Sequence, residues 1–225
     1  MSFKYRKKIV LSVAKKMEAL HSGESSGHDW WHTYRVWRLA GKIARSEKKA
    51  TPDFYVVELS ALLHDIADYK FNEGDETLGP ERAKNLLEEL GVPEGIGEKV
   101  SKIISEMNFP GTKGKPRRMS SIEGEIVRDA DFLDAMGAIG IGRTFAYGGK
   151  KGRPMYEPTV KPKLLMSREE YRKRGATHTI NHFYEKLLRL DSILHTKEAK
   201  RIGRERKKRM EKFLSEFFSE WKGKS

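Results

Sequence analysis

The chain carries seven histidines, at positions 21, 28, 32, 64, 178, 182 and 195, and no cysteine. Soft metal ligation therefore falls to imidazole, and thiol nucleophiles, disulfides and cysteine-based zinc or iron–sulfur sites are excluded. His64-Asp65 closes a strongly apolar run, Val56 to Leu63, where polar side chains need a reason to stand. His32 shares a helical stripe with Val36, Leu39 and Ile43, so it should point inward from the first turn of its helix. It is either a satisfied core histidine or a ligand. Asp129, Asp131 and Asp134 crowd two helical turns beside Val127, Ala130 and Leu133. Three carboxylates beside a core stripe repel one another unless a cation, or an arginine such as Arg128 or Arg143, neutralises some of them. Asp68 follows His64 by four residues and Asp65 by three. If the helical turn persists, it shares their space and could orient or deprotonate a water; otherwise it is a helix-terminal Asp accepting backbone bonds. A His-Asp pair alone is weak evidence, and His28-Asp29 is a second one here.

The elements that must position these residues read as helices. Ile9, Val10, Val13, Ala14, Met17 and Leu20 form the stripe of a helix over about 3 to 20. Asp29 is a plausible N-cap for the helix that carries His32. Thr51 and Pro52 should cap and start the next, which ends at His64-Asp65. A fourth helix stops at Gly91 and a fifth runs from Pro93 to near Met107. Phe109 to Met119 reads as a loop. Ser120 and Glu123 match a capping box at the start of the Asp131 helix, and Ser167 and Glu170 match another later. Between them the Gly-, Pro- and Lys/Arg-rich stretch over about 140 to 163 is the candidate mobile loop or lid. The last helix, about 197 to 221, is amphipathic with Met210, Phe213, Leu214, Phe217, Phe218 and Trp221. The fold class is all-α: one domain over 1–225, with a core at about 27–136, a loop at 140–163 and C-terminal helices over 167–222.

The formal net charge is +13, with 34% charged and 37% hydrophobic residues. The 10% aromatics and regular apolar periodicity argue against disorder. Residues 1–16 hold six basic and no acidic residues, and 197–212 hold nine basic and three acidic. These two segments thus carry +6 each and leave +1 for the remainder. The basicity belongs to the terminal helices and is poor evidence for a substrate. It is either a pair of solvated faces or a contact for nucleic acid or an acidic partner. No run nears the ~18 apolar residues of a membrane span, so no membrane partner and a cytoplasmic location are expected. An oligomer remains open.

The order His32, His64-Asp65, Asp131 resembles the H…HD…D signature of the HD-domain metal-dependent phosphohydrolase superfamily. Gly27-His28-Asp29-Trp30-Trp31-His32, Ala61 to Phe71, Val127 to Ala135, Gly140 to Gly149 and Ile180 to Leu188 are similar to words of its small single-domain bacterial and archaeal branch. That branch includes a manganese-dependent nucleoside triphosphate pyrophosphohydrolase. The resemblance spans about 25 to 220. It implies an HD-type helical bundle and an enzyme hydrolysing nucleotide phosphates. It also implies His32, His64, Asp65 and Asp131 as ligands of one divalent ion, Mn foremost, with Co, Ni, Fe, Mg or Zn as alternatives. Two imidazoles and two carboxylates leave octahedral positions open for water and substrate. No histidine lies between 65 and 131, which argues against the two-metal variants. Asp68 is the candidate catalytic residue, although related nucleotidases often have Glu there. Phe132 departs from the family word, which usually has Arg. Lys70, Arg143 and Lys186 are the candidate phosphate-binding residues, Arg143 foremost because guanidinium clamps phosphate bidentately. Lys150, Lys151 and Arg153 are further cations in the loop. A nucleoside 5′-monophosphate phosphatase is the alternative activity. A nucleic-acid-binding HD fold and an alarmone-type hydrolase, whose word is HDxxED, rank below it.

Overall fold

The computed structural model describes residues 1–23, 27, 29–48, 50–67, 77–107, 118–173 and 177–224, the side chains of 168, 172 and 173 aside. Among these residues the regular structure is helical, as the apolar periodicity implies: α1 (Phe3–Leu20), α2 (Trp30–Ser46), α3 (Phe54–Leu63), α4 (Leu78–Glu89), α5 (Glu94–Glu106), α6 (Ile122–Asp134), α7 (Gly137–Lys150), α8 (Arg168–Lys173), α9 (Asn181–Glu185), a 3-10 segment (Leu187–Ile193) and α10 (Lys197–Trp221). The chain divides into two compact units. The first comprises Met1–Glu24, His28–Asn108 and Arg118–Ala130, and the second Ser25–Gly27, Phe109–Arg117 and Asp131–Ser225.

In the first unit α3 is the central helix. Tyr55 to Val57 and Leu59 to Leu63 are buried, the pattern of a helix apolar all round and packed on every side. It packs against α1, α2 and α5. α1 contributes Ile9, Val10, Val13, Ala14 and Met17, and α2 contributes Val36, Ala40 and Ile43, all buried. Trp37 Nε1 donates to Glu58 Oε1 at 3.2 Å, tying α2 to α3. The α4 terminus at Gly91 follows expectation: with φ +70°, Gly91 lets Val92 N–H reach Leu87 O and its own N–H reach Glu88 O, both at 2.9 Å. This is the αL stop that satisfies the last helical carbonyls.

Two expected helix starts are corrected. α3 begins after Asp53, not Thr51, because Asp53 Oδ1 accepts from Tyr55 N–H at 3.0 Å. α6 is capped one residue later than the Ser120–Glu123 box, by Ser121 Oγ accepting from Gly124 N–H at 3.1 Å. Glu123 Oε1 instead accepts from Asp53 N–H at 2.9 Å. A carboxylate that reaches a neighbouring helix start cannot also close its own box. The Ser167–Glu170 box forms as expected, with bonds of 2.6 and 3.1 Å.

In the second unit the largest correction concerns residues 140–163. The first half of that stretch is helix α7. Its glycines serve close packing: a Cβ on Gly140 would collide with the Ala135 carbonyl, and one on Gly148 with Thr179 Oγ1. Within the stretch, 151–163 is irregular. Phe145, Phe183 and Phe213 join α7, α9 and α10 through ring contacts of 5.7 to 6.3 Å. Tyr156 meets His178, Phe218 and Trp221 edge-on at 5.0 to 5.2 Å. Part of the basicity of α10 is internal, since Arg206 Nη1 donates to Leu133 O and Lys207 Nζ meets Asp191 at 3.1 Å.

Candidate metal centre

The site is built at the end of α3. His64 is the C-cap of that helix, and its Nδ1 lies 2.9 Å from Ala61 O. Ala61 carries one of the terminal carbonyls that a helix leaves without an internal partner. A carbonyl can only accept, so the proton sits on Nδ1 and the Nε2 lone pair is presented away from the helix. His32 comes from the first turn of α2. Asp29 caps that helix, its Oδ1 accepting from His32 N–H at 2.9 Å. His32 is 1% exposed, so the inward orientation read from its stripe holds. The other His-Asp pair is thus explained on its Asp side as a helix cap.

His32 Nε2 lies 3.2 Å from His64 Nε2. Asp65 Oδ2 lies 3.3 Å from His32 Nε2 and 3.5 Å from His64 Nε2. Two imidazole nitrogens and a carboxylate oxygen so close together form a donor set that one cation could share. Ligands sharing one ion at ordinary bond lengths of about 2.1 Å, with angles between octahedral and tetrahedral, are about 3.0–3.4 Å apart. The observed sides of 3.2, 3.3 and 3.5 Å lie in or just above that span. α6 runs without a break from Ala130, the last residue of the first unit, to Asp131. His32 and His64 could help hold a metal ion, with Asp131 of α6 as a proposed further ligand.

One of the three crowded carboxylates meets an arginine. Asp134 Oδ2 accepts from Arg143 Nη1 at 2.9 Å. Burial lowers the pKa of the Arg128 guanidinium, while Asp129 and Glu125 act to raise it. Arg143 also donates from Nε to Gly27 O at 2.7 Å. The residue expected to clamp phosphate therefore has a carboxylate and a carbonyl as partners inside the protein. Lys186 Nζ lies 6.0 Å from the Tyr171 ring centroid, and Tyr171 Oη is 3.2 Å from His182 Nδ1. Asp68 and Lys70 lie outside the described residues, so their expected roles are carried forward as proposals. Phe132, at the position where the family word has Arg, is buried. His178 precedes α9, with Nε2 3.1 Å from Val160 O and Nδ1 accepting from Asn181 N–H.

The HD domain family model matches residues 30–136. The protein YpgQ of Bacillus subtilis is 34% identical over 198 residues, 88% of this chain and 86% of that protein. The chain belongs to the HD-domain superfamily. An HD-superfamily hydrolase of Bacillus thuringiensis is similar at 37% identity with a TM-score of 0.72, covering 96% of this chain and 98% of that one. A Lactobacillus plantarum protein matches with a TM-score of 0.80 at 31% identity over 99% of both chains. YpgQ in complex with ADP matches at 29% identity with a TM-score of 0.74 over 96% of both chains. The HD protein is accordingly a metal-dependent phosphohydrolase. No helix among its described residues is long and apolar enough to cross a membrane.

One residue near the site had no sequence signal. His21, the C-cap of α1, lies with Nε2 3.3 Å from Asp65 O and Nδ1 3.3 Å from Thr33 Oγ1. Burial lowers its pKa, against the pull of the Asp65 carboxylate. A histidine at a helix end followed by Ser-Gly reads only as helix termination.

Proposed function

We propose that the HD protein hydrolyses nucleoside triphosphates to the monophosphate and pyrophosphate, using one divalent ion, Mn first, held by His32, His64, Asp65 and Asp131. The observation that carries this reading is the convergence of the His32 and His64 Nε2 atoms on the Asp65 carboxylate within 3.5 Å. The nucleotide part rests on the ADP complex of YpgQ. When bound, the ion lowers the pKa of its water and withdraws charge from a phosphoryl oxygen. The water oxygen bonds to the α-phosphorus as the α–β anhydride P–O bond breaks, and pyrophosphate leaves. Asp68 accepts the water's proton in this reading, and Lys70 and Lys186 offset the phosphate charge. Arg143, which is paired with Asp134, is the further phosphate-binding candidate.

The test uses metal-stripped protein supplied with Mn²⁺, Co²⁺, Ni²⁺ or Mg²⁺ and a panel of nucleoside tri-, di- and monophosphates. Phosphate release is followed with and without inorganic pyrophosphatase. Signal that requires the coupling enzyme identifies pyrophosphate as the product. Direct release from monophosphates would replace this reading with a 5′-monophosphate phosphatase. Asp68→Asn should slow turnover with metal content unchanged, and unaltered turnover removes Asp68 from the mechanism.

A further inference from the structure

The geometry points to His21 as a positioning residue for the metal centre: one imidazole joins the α2 segment that carries His32 to the turn that carries Asp65. The inference rests on the ligand assignment above. Asp65 stands in the turn that follows α3, beyond the last helical residue Leu63, and His32 stands in the first turn of α2. Nothing in the covalent chain fixes the distance between segments 33 residues apart. His21 spans it. The Asp65 carbonyl can only accept, so His21 Nε2 carries the proton, and Nδ1 is then the acceptor for the Thr33 hydroxyl. A single neutral tautomer thus makes both bonds, one on each side of the ring. Thr33 is fully buried and directly follows His32 along the chain.

The anchor for this bridge is helix termination. The His21 backbone N–H bonds Met17 O at 3.0 Å as α1 ends, and Gly23 turns the chain away with φ +82°. α1 itself packs on both α2 and α3. His21 is therefore fixed at its backbone by one helix and at its ring by the two ligand-bearing segments. It holds the donor triangle together without being a ligand, the kind of outer support that orients the groups in contact with a metal.

The test is Mn²⁺ titration of metal-free protein by calorimetry, with thermal melting of the same samples before metal is added. His21→Ala should raise the Mn²⁺ Kd about 10- to 100-fold. His21→Gln keeps an N–H donor toward the Asp65 carbonyl and should recover most of that loss. Thr33→Val, which removes the hydroxyl donor, should weaken binding in the same direction. A wild-type Kd in His21→Ala overturns the inference. So does an equal loss in His21→Ala and His21→Gln that tracks a lowered melting temperature without metal, because that is a packing effect. His64→Ala separates the two levels of the argument. Unchanged Mn²⁺ affinity there overturns the ligand assignment itself; affinity lost in His64→Ala but intact in His21→Ala overturns the role of His21 alone.

Discussion

Replacing Arg143 with Met separates two roles for this side chain, internal partner or phosphate clamp. Asp134 is 2% exposed, and Arg143 Nη1 meets its carboxylate at 2.9 Å. Breaking a buried ion pair from one side costs about 3–5 kcal/mol, because the stranded charge keeps its desolvation penalty. Asp134 has further interactions, so the lower end, about 3 kcal/mol, is expected. For a chain of this size 1 kcal/mol moves the melting temperature by about 2–4 °C, giving a drop of about 6–12 °C. Arg143→Met would also lose the bond from Nε to Gly27 O.

Asp134→Asn combined with Arg143→Met removes the stranded charge. The double variant should be less destabilised than the sum of the single variants by about 2 kcal/mol. The measurement is thermal and urea unfolding of metal-free protein, paired with KM for a nucleoside triphosphate. If Arg143→Met melts with the wild type while its KM rises tenfold or more, the side chain clamps substrate and the internal-partner reasoning fails. A melting drop shared with Asp134→Asn, with strong coupling between the two, is the expected result.

Gly148→Ala should destabilise by about 1–3 kcal/mol, since its Cβ would collide with Thr179 Oγ1. Adding Thr179→Ala should relieve part of that cost in urea unfolding, and no relief would mean the clash is absorbed elsewhere. Asp29→Ala removes the cap on His32 N–H and should cost about 1 kcal/mol. It should also weaken Mn²⁺ binding, measured by calorimetry, because the cap orients the first turn of α2. Mn²⁺ at about 100 times its Kd should stabilise the protein by about 2.7 kcal/mol, seen as a higher melting temperature that chelation reverses and His64→Ala abolishes. Changing Lys4, Lys7, Lys8 and Lys15 to Gln together should leave turnover and melting essentially unchanged, because exposed charges contribute little to stability. Lost turnover would instead show that the basic face of α1 steers the substrate.

What the sequence made legible follows from which interactions are local. Helix periodicity and the inward face of His32 could be read because they depend on residues three and four apart. The stop at Gly91 could be read because an αL position is a property of the chain itself. The misplaced start of α6 has a cause that is not local. Glu123 and Ser120 fit a capping box, yet Glu123 crosses to Asp53 N–H, 70 residues earlier, and the two helix ends share one carboxylate. Glycine misled for the same reason. At Gly140 and Gly148 it marks close approach by Ala135 and Thr179, and sequence shows that a side chain is missing but not what fills its place. Arg143 combines both lessons, since a guanidinium that suits phosphate suits a buried carboxylate equally well. The candidate donor groups could be named from their types and order, whereas the groups that hold them could not. His64 is oriented by a carbonyl of its own helix, and His21, the imidazole proposed to brace the centre, comes from another helix end and belongs to no motif. Support of this kind is visible only once the chain is folded, so substitutions around the centre are best chosen by what they touch.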